Sequence, residues 1–246
     1  MKWDQNGRRP ATTLQWMMRG DSSFREVVDR LSDDALVLPS KLPGWSRAMV
    51  VTHVARNAGA LTNLLTWACT GIETPMYASS ERRLADLENG ASRPAQEIRA
   101  DLVQSDLRLL EAVASLTDEH WSVPVKTARG REIRARDVPW LRVKETWIHG
   151  VDMNSGWTFD EFPRVLTDAL LEDVTGSFVE REDCPNIYLV CTDQEGTHTI
   201  GSGTERGVEV RGTSAQLLAW LVGRDDGQQL QASSFGAKPP ALPEWL

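Results

Sequence analysis

Leu42-Pro43-Gly44-Trp45 breaks the chain, and Ser46-Arg47-Ala48-Met49-Val50-Val51-Thr52-His53-Val54-Ala55-Arg56-Asn57 starts it again as a helix. The reading of this passage decides the fold. The Ser46 hydroxyl is suited to accept a hydrogen bond from an N–H of the first helical turn, which has no intrahelical partner. Beyond it Val50, Val51, Val54, Ala58, Leu61, Leu64, Leu65 and Ala68 recur at three- and four-residue steps, the period of one helix face. Gly71 then follows Thr70 and offers the left-handed residue on which helices commonly end. His53 lies inside this apolar helix, where a bare imidazole bears an uncompensated desolvation cost.

Working outward, Leu14, Met17, Met18, Phe24, Val27, Val28 and Leu31 mark an earlier helix with the same period. Residues 71–92 read as a loop with a short helix, punctuated by Thr74-Pro75 and Gly90. A third amphipathic helix is predicted over Pro94–Leu116, with Pro94 in its first turn. Residues 122–135 look extended, with Arg129-Gly130 as a turn, and Asp137 is positioned to cap a fourth long helix that runs to Met153. Phe162–Glu182 reads as a fifth. From Asn186 the texture changes: 187–192, 197–200 and 208–211 are β runs separated by Gly- and Asp-rich turns. Thr213 or Ser214 then caps a helix over Ala215–Val222, and the Pro- and Gly-rich tail is expected to lay Trp245 against the body. The fold class is therefore α+β, with a helical bundle over residues 1–160 and a small α+β C-terminal domain over 161–246.

Bulk properties narrow the function. The 246 residues carry 27 Lys and Arg against 35 Asp and Glu, a formal net charge of −8. A surface of that sign repels phosphate backbones and anionic lipid, so neither nucleic acid nor membrane is expected as a partner. The densest basic stretch, Arg129–Arg136, is interrupted by Glu132 and reads as a solvated turn. The N-terminus MKWDQNGRRP lacks the apolar stretch of a secretory leader, and no run reaches the roughly 20 apolar residues of a membrane span. Cys69, Cys184 and Cys191 match no zinc motif and no disulfide framework. Together these readings point to a reducing compartment and a cytoplasmic protein. Ten tryptophans imply a large aromatic core, with a few available to line a pocket.

The chemistry sits in the histidines. There are four, and His53 and His149 fall inside apolar helices. His149 follows Glu145 by four residues, so the two side chains share one helix face and can reach one ion. Such a pair is a weak signal alone, since Glu–His contact on a helix surface is the commoner outcome. His53 on a second buried helix strengthens it, because bundles build ion sites from side chains on facing helices. Two imidazoles and one carboxylate are the usual set for a catalytic zinc and leave a position open. The bland alternative makes His53 a core histidine bonded to a neighbour such as Asn57, which would equally serve to orient it on a metal. His120 and His198 read as surface residues. Neither a serine-nucleophile motif nor a Cys-x-x-Cys pair is present. Gly201-Ser202-Gly203 lacks the context of a phosphate loop.

Leu42-Pro-Gly-Trp-Ser-Arg followed by Val51-Thr-His-Val-Ala-Arg-Asn resembles the second-helix motif of the DinB-like metalloenzyme superfamily. Glu73-Thr-Pro-Met-Tyr and Val143-Lys-Glu-Thr-Trp-Ile-His-Gly-Val-Asp resemble a narrower branch, the mycothiol-dependent maleylpyruvate isomerases. The likeness runs from about Leu14 to the C-terminal Trp-Leu. The first 13 residues match nothing characteristic, and Lys144 replaces a more usual arginine or serine. The resemblance implies a DinB-like four-helix bundle with a smaller α+β domain behind it. It implies zinc on His53, Glu145 and His149, mycothiol as thiol cosubstrate, and a catalytic arginine, which in Val222-Gly-Arg-Asp-Asp-Gly is Arg224.

The implied chemistry suits an open site, since a metal-bound thiol is deprotonated where a free one is mostly not. Thiolate addition to a cis double bond, rotation and elimination would give the trans isomer, and an arginine fork pairs with a substrate carboxylate. Arg224 also reads as a solvent-facing cation at a helix C-terminus. Three functions follow: a zinc- and mycothiol-dependent cis-trans isomerase of maleylpyruvate or a similar unsaturated diacid, a mycothiol S-transferase of detoxification or secondary metabolism, and a non-catalytic metal-binding regulatory protein. The expected partners are a small-molecule thiol and an electrophilic substrate, with the chain a monomer or weak homo-oligomer.

Overall fold

A computed structural model describes residues 10–179, 181–203, 207–233 and 238–245. The leader reading therefore falls on residues that lie largely outside those described. The chain divides into two compact units, Met1–Trp157 and Thr158–Leu246.

The first unit is helical: α1 (Pro10–Arg30), α2 (Asp33–Leu36), α3 (Arg47–Thr70), α4 (Ser80–Ala91), α5 (Ala95–Ala114) and α6 (Val138–Asp152). A two-stranded antiparallel hairpin, β1 (Pro124–Lys126) and β2 (Glu132–Arg134), sits between α5 and α6. The long α3 begins and ends as its sequence dictates. Ser46 Oγ accepts from Met49 N at 3.2 Å, while Gly71 stands at φ 72° and its N–H donates to Trp67 O at 2.9 Å. Val50, Val51, Val54, Leu61 and Leu64 are fully buried, each contributing roughly 1.5–3 kcal/mol by leaving water. Helices α5 and α6 pack on α3, and α1 packs on α6, so the four long helices form one bundle. The α1–α6 approach is close, because a Cβ on Gly20 would overlap the Thr146 hydroxyl and the Trp147 indole.

One buried guanidinium ties all four together. Arg142 of α6 donates to Asp21 Oδ1 of α1 at 2.8 Å and to Asp106 Oδ1 of α5 at 2.5 Å. It also donates to Val54 O and Asn57 Oδ1 of α3 at 2.7 and 3.2 Å. Burial pushes the Asp106 carboxyl up to about 6 against the pull of Arg142, a measure of what keeping these groups from water costs.

Three expectations are corrected here. Gly90 is no punctuation mark: it lies inside α4, buried, where a Cβ would overlap Thr52 Cγ2, so close helix packing is what requires glycine. Asp137 precedes α6 but its carboxylate accepts from Arg134 N at 3.0 Å, closing the short 3-10 turn Ala135–Asp137 rather than capping the helix. The fifth helix, α7, is shorter than its apolar pattern, spanning Arg164–Phe178, because Val179 turns extended and bridges in parallel to Gly201.

The second unit holds α7, a four-stranded sheet and α8 (Ser214–Leu221). Its strands β3 (Ile187–Cys191), β4 (Thr197–Ile200), β5 (Val208–Gly212) and β6 (Gln231–Ala232) take the order β4-β3-β5-β6. Only the β3–β5 pair is parallel. Ile187, Leu189 and Cys191 alternate inward along β3. Thr213 is the cap of α8, its hydroxyl accepting from Gln216 N at 3.2 Å, whereas Ser214 turns to Asp193 and Gln194. The tail is tied to this unit by Arg181, which donates to Glu244 O at 2.8 Å, and Trp245 is half-buried. The two units make the chain α+β, a four-helix bundle followed by a small mixed domain.

Arg142→Met should lower the stability of the protein by about 3–5 kcal/mol, because Asp21 and Asp106 remain buried without their counter-charge. Urea unfolding of the two proteins measures it, and an unshifted midpoint would show that the guanidinium is not the tie described.

Candidate metal centre

His53 projects from the middle of α3, and Glu145 and His149 from successive turns of α6. The packing of α6 on α3 brings the three together. Glu145 Oε2 lies 2.9 Å from His53 Nε2 and 3.3 Å from His149 Nε2. The imidazoles meet edge to face with centroids 4.8 Å apart. One donor atom from each residue falls within 4.8 Å of the others, the one such cluster among the described residues.

Two neighbours fix the rings. His149 Nδ1 is 2.8 Å from Asp152 Oδ2, a carboxylate with no exposure, so the Nε2 of that ring is the nitrogen left for the centre. Trp45 packs its edge on His53 at 5.7 Å between centroids. Asp152 in turn anchors the chain ahead of α3, its carbonyl accepting from Lys41 N at 2.9 Å.

The electrostatics are those of one shared carboxylate. Burial pushes the His53 imidazole below its ordinary value, more than Glu145 raises it. Burial acts the same way on His149, but hydrogen bonds to Asp152 and Glu145 outweigh it and lift that group to about 9. Burial would raise Glu145, yet the two imidazoles together hold it well below the carboxylate range. The surroundings therefore favour the carboxylate at Glu145 and favour the cation at His149 more than at His53.

This donor set fits a divalent ion. Three borderline donors converge, the far nitrogen of one histidine is held by a carboxylate as in metal sites generally, and among the described residues no fourth protein donor joins the group. His53, Glu145 and His149 are thus the three residues named from the sequence, brought to one place.

The remaining expectations fare differently. Asn57 does not meet His53, because its side-chain oxygen is taken by Arg142. Arg224 belongs to the second unit, just past α8, where its N–H donates to Ala219 O at 2.8 Å and its Nη1 to Val222 O at 2.6 Å. His120 is partly exposed and accepts from Thr117 N at 3.2 Å, while His198 lies in β4 with Nδ1 3.5 Å from Thr175 Oγ1. Two site residues escaped the sequence reading, Asp152 and Trp45. The first was within reach of it, since His149 and Asp152 stand three apart on one helix face. The second required knowing how the Pro-Gly turn folds back on α3.

Comparison with known proteins accords with this geometry. Residues 17–154 match the family model described as the mycothiol maleylpyruvate isomerase N-terminal domain, and residues 161–243 match that of the MDMPI C-terminal domain. The crystal structure of the mycothiol-dependent maleylpyruvate isomerase is similar over 100% of both chains, with TM-score 0.89 and 28% identity. A histidine-to-alanine mutant of that isomerase is similar over the same extent, with TM-score 0.91 and 28% identity. YfiT from Bacillus subtilis, a probable metal-dependent hydrolase with an unusual four-helix bundle topology, shares the fold at 17% identity and TM-score 0.51. That match covers 62% of this chain and 87% of YfiT. Comparison with curated protein sequences gives no significant match. No helix among the described residues is long and apolar enough to cross a membrane.

The pairing of His149 sets a pH dependence. Its folded value of about 9 stands above the ordinary 6.5, so in metal-stripped protein the pairing stabilises fully below about pH 6.5 and is lost as pH rises through about 9. A metal must displace that proton. Uptake of a divalent ion near neutral pH should therefore release a proton, and apparent affinity should rise with pH, which calorimetry in buffers of different ionisation enthalpy measures. Asp152→Asn should weaken binding of a divalent ion by about 10- to 100-fold.

Proposed function

The chain belongs to the mycothiol-dependent maleylpyruvate isomerase family, and from that premise we propose that it is a zinc- and mycothiol-dependent cis-trans isomerase. Its substrate is maleylpyruvate or a similar cis-unsaturated diacid. The observation that carries the reading is the convergence of His53, Glu145 and His149 from two facing helices, with the outer nitrogen of His149 held by Asp152. Those three residues would hold a zinc ion, whose chemistry there would be to bind and ionise a thiol.

A zinc ion bound there supplies one thing, a thiol held as thiolate at neutral pH. The chain's own residues do the rest. Glu145 brings the negative charge that offsets the ion, and Asp152 keeps the His149 ring turned toward the centre. Trp45 packs against the His53 ring and limits its rotation. Arg224 presents the planar fork that suits a substrate carboxylate. In the reaction the sulfur forms a bond to one carbon of the cis double bond, and the displaced electron pair moves onto the conjugated carbonyl oxygen. The carbon–carbon bond, now single, rotates. The pair then returns, the carbon–sulfur bond breaks, and the trans double bond forms with the thiol released unchanged. No atom is gained or lost, so the thiol is a cosubstrate regenerated at each turnover.

Purified protein should contain stoichiometric zinc, and His53→Ala should lose both the zinc and the activity. Mycothiol with maleylpyruvate should give the ultraviolet change of isomerisation only when both are present. Consumption of free thiol by other electrophiles, with no spectral change on maleylpyruvate, would instead identify an S-transferase. Arg224→Ala should lower kcat/KM by about 10- to 100-fold, the worth of a charged hydrogen bond to substrate, and leave zinc content intact.

A further inference from the structure

We propose that Arg83, its guanidinium laid over the Tyr77 ring, is a receptor for a carboxylate of the substrate beside the metal centre. The inference rests on the reading that the substrate is an anionic diacid.

Helix α4 lies along α3, and its contact stripe is short. Gly90 packs on Thr52, the residue before His53, and Leu87 one turn earlier is also buried. Arg83 continues that stripe by a further four residues and comes out exposed. Positions 83, 87 and 90 share one face of the helix, so the side of α4 that touches α3 next to a ligand also carries the arginine, roughly 10 Å along the axis. There the guanidinium stands 5.1 Å from the Tyr77 ring centroid.

Tyr77 is itself held. It ends the Glu73–Tyr77 loop, in which Asn63 Nδ2 of α3 donates to Pro75 O at 3.0 Å and Met76 Sδ accepts from Ala128 N at 3.2 Å. Burial pushes its phenol up, and the Glu145 charge adds to the effect. The Arg83 charge is likewise felt at His53. Ring and guanidinium thus share the electrostatic surroundings of the ligands.

What distinguishes Arg83 from its neighbours is its edge. Arg82 pairs with Asp86 at 3.0 Å, Arg56 and Arg93 share Asp101, and Arg99 reaches Asp33. Among the described residues, Arg83 has no carboxylate within ion-pair distance. A guanidinium laid over an aromatic ring and hydrogen-bonded to its hydroxyl, with no carboxylate to neutralise it, is held in place and keeps its charge for an anion. A neutral electrophile would gain nothing from it. Arg83 therefore sets a preference for acids over their esters and amides.

The test is equilibrium binding, separate from turnover. Zinc-loaded protein is titrated by calorimetry with pimelate, a saturated diacid of the same chain length as maleylpyruvate, and with dimethyl pimelate. Wild type should bind the diacid and not the ester. Arg83→Gln should weaken the diacid by about 10- to 100-fold with zinc content unchanged, while Arg82→Gln, one position away, should bind as wild type. Undiminished binding by Arg83→Gln, an equal loss in Arg82→Gln, or no binding by wild type would each overturn the proposal. Because no thiol and no reaction are involved, failure of the isomerase assay leaves this result standing, and the converse holds too.

Discussion

The bundle depends on a single buried cation. Arg142 is withdrawn from water and would be ruinous there alone, yet it reaches an acceptor on each of the other three long helices. Two aspartates and one guanidinium leave a local excess of negative charge, which Arg25 eases by approaching Asp106 at 3.5 Å. Ionic groups of this kind contribute little net stability compared with an apolar core. Their effect is on geometry: apolar helices can slide and rotate against one another at small cost, whereas a fork with fixed donor directions allows one register. His53 faces Glu145 because that register is chosen.

The metal centre uses the same economy of charge. One carboxylate lies between two imidazoles whose environments pull them apart, His53 toward the neutral ring and His149 toward the cation. Asp152 makes the difference, since it touches His149 and not His53. The two histidines of the centre are thereby inequivalent before any ion arrives, and the ring with the outer carboxylate is the more basic donor.

Much of this was legible in the chain. The Ser46 cap, the apolar period of α3 and the Gly71 stop gave that helix to the residue, because local hydrogen bonding and backbone freedom settle such ends without tertiary help. The convergence of His53, Glu145 and His149 was legible because histidine is rare here and costly when buried bare. What failed did so where packing overrides local signals. Gly90 looks like a breaker in sequence, and only its contact with Thr52 explains it. Asn57 is one turn from His53, but the stronger donor Arg142 claims it. The two-residue strand β6 has no periodicity to read, being defined by its partner β5. Arg83 carried no signal at all, since an arginine on a polar helix is ordinary until the ring beneath it is known.

Helix α6 carries the structural arginine at position 142, two residues of the candidate metal centre at 145 and 149, and the ring-orienting aspartate at 152, all on one face. Each residue added to or removed from a helix turns everything beyond it by about 100°. A one-residue insertion between Arg142 and Asp152 would therefore strip the centre of a ligand or of its support, and one ahead of Arg142 would take the bundle's anchor with it. Lineages descending from this protein can change its chemistry by substitution along that face. Changes of length are closed to them in α6, so the spacing within that helix should stay constant while variation in chain length gathers in exposed connections elsewhere.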